Sequence, residues 1–198
     1  MNWIAPPGPV ADGLRIGLLG GSFNPAHDGH LYVSETARRR LKLDAVWWLV
    51  SPGNPLKDKA AMAALAKRLD GARKIAAGHP AIHVSALEQK LGTIYTVDTV
   101  EALQRRFPQI EFVWLMGSDN LEQFSHWRRW EDLARRIAIA VIQRPGSIMA
   151  ALNAPLARRF GMVRDPQTSM HPPLVMVLDG ARNSESATRL RALRLLGR

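Results

Sequence analysis

Short apolar runs that alternate with stretches of helical pattern constrain the fold of this chain more than any other feature of its sequence. The runs are rich in branched and aromatic residues and show no polar alternation, which predicts strands buried on both faces of a parallel sheet. The predicted strands span residues 15–19, 46–50, 82–84, 111–116, 137–142 and 174–178. The predicted helices span residues 27–41, 60–77, 96–106, 130–136, 147–160 and 186–196. This order predicts an α/β fold, Rossmann-like and doubly wound, with a mostly parallel sheet and helices on both faces.

The length of the chain, 198 residues, fits one domain of ordinary size. No linker, repeat or low-complexity tract divides it, so we expect residues 1–198 to form a single domain, in which residues 1–13 are an irregular N-terminal tail. The longest apolar runs are far shorter than the roughly 18 residues that cross a bilayer, which excludes a transmembrane protein. The first residues lack the basic start and the apolar core of a secretion signal, so the expected compartment is the cytoplasm.

The amino-acid composition excludes several kinds of chemistry and favours anionic partners. The chain has no cysteine, which excludes disulfides, thiolate nucleophiles, iron–sulfur clusters and zinc sites built on sulfur. It has 27 Lys+Arg residues against 17 Asp+Glu residues, a net charge of +10, which favours partners that carry phosphate, from nucleotides to RNA. An RNA-binding module would show aromatic residues among its basic ones on an exposed surface. Most aromatic residues here fall in predicted buried strands, so we expect no nucleic-acid partner and no membrane partner.

The segment from Gly20 to His30, directly after the first predicted strand, has the parts of an anion-binding site. It reads Gly-Gly-Ser-Phe-Asn-Pro-Ala-His-Asp-Gly-His, and it has neither the Gly-x-Gly-x-x-Gly spacing of dinucleotide-binding loops nor the Gly-Lys-Ser/Thr of a P-loop. Gly20 and Gly21 would let backbone amides approach a phosphate, and the N-terminus of the predicted helix adds a positive dipole. Ligands of doubly wound sheets bind beyond the carboxyl ends of the strands, so we expect the functional site here.

Two histidines at the start of this helix are candidates for contact with a phosphate. His27 and His30 are three residues apart, so at about 100° per residue they lie roughly 60° from each other around the helix axis. Both rings can therefore face one ligand and donate N–H groups to its oxygens. One alternative is a zinc site with a further ligand, although the other histidines form no second cluster; they are His79, His83, His126 and His171. The other alternative is a pair of capping histidines that bind nothing.

The same segment resembles the signature of the nucleotidyltransferase superfamily, whose members bind ATP through an (H/T)xGH helix start. A stretch near the C-terminus, Ser-Ala-Thr-Arg-Leu-Arg from Ser186 to Arg191, resembles the Ser-Ser-Thr-x-Ile-Arg stretch of bacterial nicotinate-nucleotide adenylyltransferases. Thr188 and Arg191 are three residues apart at the start of a predicted helix, which suits them to hold a polyphosphate. Ala187 stands where that family usually has a second serine, so one hydroxyl donor is missing.

Three internal stretches resemble further motifs of the same family. The loop Ser-Pro-Gly-Asn-Pro-Leu-Lys, which ends at Lys57, resembles a family loop that ends in Pro-x-Lys. Tyr-Thr-Val-Asp-Thr, which begins at Tyr95, resembles the stretch that opens a helix beside the pyridine site. Gly-Ser-Asp-Asn-Leu from Gly117, with Phe124 and Trp127 beyond, resembles the family's Gly-x-Asp-x-Leu-x-x-Phe-x-x-Trp. All five stretches occur in the family's order, so the resemblance covers essentially the whole chain.

The resemblance implies that this chain transfers the adenylyl group of ATP to nicotinate mononucleotide, which gives deamido-NAD and pyrophosphate in NAD biosynthesis. The attacking phosphate is already ionised at neutral pH, so neither a general base nor a covalent intermediate is expected. Catalysis would then depend on in-line positioning and on neutralising charge around the α-phosphorus. Mg²⁺ carried by the ATP phosphates is the expected cofactor, and no metal ligand is assigned to the protein. Another adenylyltransferase of this fold, pantetheine-phosphate adenylyltransferase, is the nearest alternative.

The resemblance also implies roles for individual residues. Those implied in catalysis are His27, His30, Lys57 and Arg191. Those implied in ATP binding are Gly20, Gly21, Ser22, Phe23, His27, His30, Gly117, Asp119, Ser186, Thr188 and Arg191. Those implied in nicotinate mononucleotide binding are Asn24, Lys57, Thr93, Tyr95, Thr96 and Trp127. Asn24 stands where the family often has aspartate, which keeps an acceptor but loses a charge. Backbone N–H groups of residues 93–96 are expected to bind the nicotinate carboxylate, because a carboxylate only accepts hydrogen bonds, and Trp127 is the expected stacking surface.

Overall fold

The computed structural model describes residues 4–53, 62–143, 153–164 and 170–179. Its strands are β1 Arg15–Gly21, β2 Ala45–Val50, β3 Ile82–Ser85, β4 Glu111–Gly117, β5 Ala138–Gln143, β6 Val163–Arg164 and β7 Val175–Asp179. Its helices are α1 Asp28–Leu41, α2 Leu65–Ala76, α3 Leu87–Leu91, α4 Thr96–Arg106, α5 Leu121–Phe124, α6 Trp130–Arg136 and α7 Pro155–Phe160, with a 3-10 turn at Ser118–Asn120. No helix among these residues combines the length and the apolar character that crossing a bilayer requires.

All seven described strands belong to one parallel sheet, in the order β3-β2-β1-β4-β5-β7-β6. The chain moves outward from β1 through β2 to β3, and then starts the other half of the sheet with β4 on the opposite side of β1. The direction of winding therefore reverses between β1 and β4, and such a switch point forms a crevice beyond the carboxyl ends of the two strands. The predicted doubly wound α/β fold is confirmed.

The sheet is buried because helices cover both of its faces. Every residue of β2 and β5 is buried, as continuous apolar runs predict for central parallel strands. Neighbouring residues of a strand point to opposite faces. Trp47 therefore packs with Phe107 and Phe112 on the face covered by α3, α4, α6 and α7. Trp48 packs with Phe23 on the face covered by α1 and α2.

The predicted elements agree with the structure except at helix starts and in short segments. All six predicted strands are present within two residues of their expected bounds, whereas β6, an exposed strand of two residues, is missed. The short helices α3 and α5 are missed as well. The predicted start of α2 is wrong, because residues 62–64 are not helical. The last predicted helix, 186–196, and residues 147–152 of the fifth lie outside the described residues, and the single domain stays a prediction.

Candidate active site

A cavity of about 710 Å³ lies at the switch point, beyond the carboxyl ends of β1 and β4. The register between these strands ends at Leu19 and Leu115, and the residues that follow, including Gly20, Gly21 and Gly117, line the cavity. Its volume lies within the range of about 300–1,000 Å³ that small-molecule sites occupy. The fold therefore forms a ligand-sized cavity where the sequence predicts the functional site.

One of the predicted glycines is required by a close contact with an aromatic ring in this cavity wall, and a second lies against a carboxylate side chain. A Cβ atom on Gly20 would come within 2.5 Å of the Trp114 ring. A Cβ atom on Gly117 would overlap the Asp119 carboxylate, which therefore lies directly against the backbone at the end of β4. Gly21 would meet only ordinary contacts with Phe23, so sterics do not require a glycine there. The bare backbone at Gly20 and Gly117 brings the Trp114 ring and the Asp119 carboxylate close to the cavity floor.

His27 and His30 form a reciprocal cap at the start of α1, and both line the cavity. The Gly29 backbone N–H donates to His27 Nδ1 at 3.1 Å, and the His27 backbone N–H donates to His30 Nδ1 at 3.2 Å. A neutral imidazole that accepts a hydrogen bond at Nδ1 carries its proton on Nε2. The cap therefore favours the tautomer of His27 that has an Nε2–H donor, whereas His30 Nδ1 also lies 3.2 Å from the His27 carbonyl oxygen, so both tautomers of His30 fit its contacts.

The packing of the two rings fixes their position at the cavity wall. Their centroids are 4.1 Å apart, and the His30 ring stacks on the buried ring of Phe23 at 4.6 Å. Phe23 stacks in turn on Trp48 at 5.1 Å. The predicted capping role is present, and it is compatible with ligand binding because the same cap holds the rings at the cavity. Within the described ranges, no group of three or more His, Asp or Glu side chains is arranged to hold a metal ion.

The start of α4 forms another part of the wall, through Ile94, Tyr95 and Thr96. Tyr95 is the residue before the first helical turn, and the first N–H groups of a helix have no acceptor within that helix. Thr93, which the sequence places at this site, does not line the cavity. Its backbone N–H donates to the Glu88 carbonyl at 3.0 Å, and its hydroxyl lies 2.8 Å from the Thr99 hydroxyl. Thr93 therefore supports the loop before α4.

Trp127 lines the cavity together with Tyr95 and Thr96, and it is half-buried. Its indole packs edge-on against Trp114 at 5.9 Å and at a tilt against Phe124 at 5.1 Å. The residue thus anchors the segment after β4 in the core and also contributes to the cavity wall. Packing in the core and contact with a ligand are therefore compatible for Trp127 in this geometry.

The other predicted residues fall into two groups. Ser22, Asn24 and Asp119 line the cavity, and Asn24 Oδ1 accepts the Ala63 backbone N–H at 3.4 Å. The remaining four lie outside the described residues, so their predicted roles are not addressed by the structure; they are Lys57, Ser186, Thr188 and Arg191.

Glu88 in α3 is a cavity residue that the sequence analysis missed. It is 5% exposed, and burial raises the pKa of its carboxyl group to about 7, opposed by hydrogen bonds from the hydroxyls of Ser51 and Thr99. Its Oε2 is buried and has no hydrogen-bond partner among the described residues. A glutamate in a five-residue helix gives no pattern in the sequence, so burial could not be inferred there.

Arg68 in α2 is a second missed residue, and it holds the loops that form the cavity floor. Its guanidinium is buried and donates to the carbonyl oxygens of Ser22 at 2.7 Å, Ser51 at 2.8 Å and Ala63 at 2.8 Å. It connects the loop after β1, the loop after β2 and the segment before α2. Its distant partners along the chain explain why a sequence pattern could not identify it.

Arg128 and His126 also line the cavity, on either side of Trp127. No role was predicted for Arg128 from the sequence. The structure places its guanidinium carbon 4.7 Å from the centre of the Tyr95 ring, so that it contacts the residue that precedes α4.

Comparison with known proteins relates this fold and cavity to one family. The cytidylyltransferase-like family model matches residues 18–193. A Parvibaculum lavamentivorans protein described as "Probable nicotinate-nucleotide adenylyltransferase" is 51% identical over 188 residues, which cover 92% of this chain and 93% of that protein. A Bradyrhizobium protein (strain BTAi1) with the same description is 48% identical over 184 residues, or 90% of this chain and 95% of that protein.

A solved structure shares the architecture at much lower sequence identity. It is the Plasmodium falciparum nicotinic acid mononucleotide adenylyltransferase complexed with NaAD, with a TM-score of 0.64 and 16% identity. The match covers 91% of this chain and 83% of that chain. At this level of identity the likeness concerns the fold alone.

Proposed function

This chain belongs to the cytidylyltransferase-like family and, within it, to the nicotinate-nucleotide adenylyltransferases, and on that premise we propose how its cavity carries out the reaction. The substrates are ATP and nicotinate mononucleotide, and the products are deamido-NAD and pyrophosphate. One observation carries the proposal: a single cavity joins a histidine-capped helix start to a second helix start with a tryptophan beside it. The histidine-capped start of α1 suits a polyphosphate, and the start of α4 with Trp127 suits a pyridine that carries a carboxylate.

The proposed reaction is a direct displacement at the α-phosphorus of ATP. A phosphate oxygen of nicotinate mononucleotide forms the new bond to this phosphorus. The bond to the oxygen that bridges to the β-phosphate breaks, and pyrophosphate leaves with the electron pair. Since the attacking phosphate is ionised at neutral pH, no side chain has to remove a proton. The protein contributes alignment of the two phosphates and stabilisation of the charge around them.

The histidine cap supports a role at the ATP phosphates. The Nε2–H group of His27 would donate to phosphate oxygens with the His30 ring beside it, and the N-terminus of α1 adds a positive dipole on the same side. Gly20 leaves backbone close to the cavity at this point. Lys57 and Arg191, with the hydroxyls of Ser186 and Thr188, are proposed to add further contacts to the phosphates on the basis of the family resemblance. Mg²⁺ is proposed to arrive with the ATP phosphates, its usual mode in nucleotide sites.

Other residues that line the cavity support recognition of the two nucleosides. Asp119, held against Gly117, would accept hydrogen bonds from hydroxyls of the adenosine ribose. Trp127 would stack on the pyridine, and backbone N–H groups at the start of α4 would bind its carboxylate. Nicotinamide would present an NH₂ group to those donors and leave it unpaired, which disfavours it as a substrate.

The proposed compartment is the cytoplasm.

Pyrophosphate release with different acceptors tests the proposal. We expect the highest kcat/KM with nicotinate mononucleotide, a lower value with nicotinamide mononucleotide, and no turnover with phosphopantetheine. Equal efficiency on the two mononucleotides would contradict the carboxylate argument. Turnover with phosphopantetheine alone would contradict the proposed function and support the alternative adenylyltransferase.

A further inference from the structure

Arg128 is a cation at the cavity whose charge is not neutralised by a carboxylate in the described part of the chain. It is exposed, and it lines the cavity together with Tyr95, Thr96 and Trp127. Its guanidinium lies over the Tyr95 ring, with the central carbon 4.7 Å from the ring centre. An arginine stays protonated at any pH at which the protein is folded. The cavity therefore has a permanent positive charge beside the start of α4.

The next residue shows what an arginine with a structural role looks like in the same segment. Arg129 donates from Nε to Asp132 at 2.9 Å and lies 3.5 Å from Asp98. It does not line the cavity. The two adjacent arginines thus differ in their surroundings. Arg129 is paired with carboxylates of the protein, whereas the Arg128 guanidinium lies over an aromatic ring at the cavity.

A guanidinium held over an aromatic ring beside the proposed pyridine site matches the chemistry of a carboxylate ligand. The guanidinium is planar and can donate two parallel hydrogen bonds to a carboxylate, and its position over the Tyr95 ring keeps it beside the start of α4. Trp127, the proposed stacking surface, is the adjacent residue, and Tyr95, on which Arg128 rests, precedes the first amides of α4. A carboxylate on the pyridine ring would therefore meet two kinds of donor at this end of the cavity.

We propose that Arg128 is a specificity-determining residue that pairs with the nicotinate carboxylate of the mononucleotide. This inference rests on the proposed function and extends it. Backbone N–H groups can also donate to the carbonyl oxygen of nicotinamide, so they disfavour it only through its unpaired NH₂ group. A full positive charge distinguishes a carboxylate from a neutral amide, so Arg128 adds to the discrimination between the two mononucleotides.

The experiment compares Arg128→Gln with the matched control Arg129→Gln. Steady-state kinetics are measured with nicotinate mononucleotide, with nicotinamide mononucleotide and with varied ATP. Because Arg128→Gln removes one charge-assisted contact, it should lower kcat/KM for nicotinate mononucleotide by roughly 10- to 100-fold. The change should appear as a higher KM. The kcat/KM for nicotinamide mononucleotide and the KM for ATP should stay unchanged. Arg129→Gln should leave all of these values near those of the wild type.

Binding of the products gives a second readout that does not require turnover. Deamido-NAD and NAD differ only in the same carboxylate and amide, and calorimetry gives both dissociation constants for each variant. Arg128→Gln should weaken deamido-NAD alone. Thermal unfolding checks that both variants are folded, as expected for changes at exposed side chains.

Three results would overturn the inference. Equal losses on both mononucleotides would mean that Arg128 contacts their shared phosphate. No loss on either would mean that the arginine has no part in binding. A similar loss in Arg129→Gln would mean that the effect comes from the segment and not from this side chain. Each of these leaves the wild-type activity on nicotinate mononucleotide intact, whereas an inactive wild type would overturn the proposed function itself.

Discussion

At the scale of single residues, the two histidines of α1 show how backbone geometry can prepare a side chain for chemistry. A helix start has N–H groups without acceptors, and here two backbone N–H groups donate to imidazole nitrogens. The hydrogen bonds satisfy the backbone, and the one at His27 Nδ1 leaves the proton of that ring on Nε2. Capping is thus part of the proposed function, since it sets the tautomer of His27 that an anion requires.

Replacing His27 with asparagine separates these two roles. Asparagine is among the strongest N-cap residues, so His27→Asn should keep the stability of the wild type. It removes the Nε2–H donor, and loss of one such donor to a reacting phosphate should lower kcat by roughly 100-fold. His27→Ala should show the same loss of kcat and also a free energy of unfolding lower by about 1 kcal/mol, because the cap is gone.

The matched control is His79→Asn, because His79 lies outside the cavity and pairs with Glu35 at 3.2 Å. Pyrophosphate release and urea unfolding are measured for all three variants. Wild-type turnover in His27→Asn would show that the ring does not contact the phosphates.

At the scale of secondary-structure elements, α3 places a carboxyl group in a buried environment. Glu88 is almost fully buried, and its pKa is raised from 4.5 to about 7 by burial. α3 packs against β2 and α4 among the described elements. The residues of β2 are all apolar. The acidic side chains of α4, Asp98 and Glu101, are paired with Arg129 and Arg136. The folded protein therefore holds a proton on Glu88 at pH values where the unfolded chain has lost it.

The free energy of unfolding should consequently depend on pH through Glu88. Between pH 4.5 and about 7 the folded state binds more protons than the unfolded state, so this contribution to stability falls as the pH rises. The full change corresponds to roughly 3 kcal/mol. Glu88→Gln removes the titration, so the stability of the variant relative to the wild type should rise by that amount from pH 4.5 to pH 8.

Urea unfolding at several pH values measures this difference. The control is Glu122→Gln, a change at an exposed glutamate outside the cavity. A constant difference between wild type and Glu88→Gln across the pH range would mean that Glu88 does not retain its proton on folding.

The elements also show which parts of the molecule were predictable from the sequence. The strands were predictable because burial on both faces leaves continuous apolar runs, as in β2 and β5. The glycine and histidine motifs were predictable because their chemistry is local. Arg68 and Glu88 were not, since their environment comes from segments far away in the chain; Arg68 contacts the carbonyl of Ser22, 46 residues earlier. Thr93 shows the opposite case. Its motif is local and could be recognised, but its backbone N–H and its hydroxyl support the loop before α4.

At the scale of the whole molecule, the topology brings distant motifs to one crevice. The histidine cap follows β1, the Asp119 segment follows β4, and the start of α4 lies between them along the chain. Because β1 and β4 are neighbours in a parallel sheet, their carboxyl ends meet at the same edge. The chain carries a net charge of +10, although several arginines are neutralised by nearby carboxylates, as in the pairs Arg15–Glu111 and Arg135–Glu131. The remaining positive charge would attract anionic substrates from a distance.

This long-range attraction should make substrate capture depend on salt. Raising NaCl from 0.1 M to 1 M shortens the Debye length from about 10 Å to about 3 Å, which screens exposed charges much more than those inside the cavity. We therefore expect KM for ATP and for nicotinate mononucleotide to rise several-fold, while kcat changes by less than about two-fold. Steady-state kinetics with sucrose at matched osmolality, which leaves the Debye length unchanged, provide the control and should leave both KM values unaltered. KM values that do not respond to salt would contradict steering by the net charge. An RNA oligonucleotide that competes with ATP at 0.1 M salt and binds more tightly than ATP would instead support the nucleic-acid alternative.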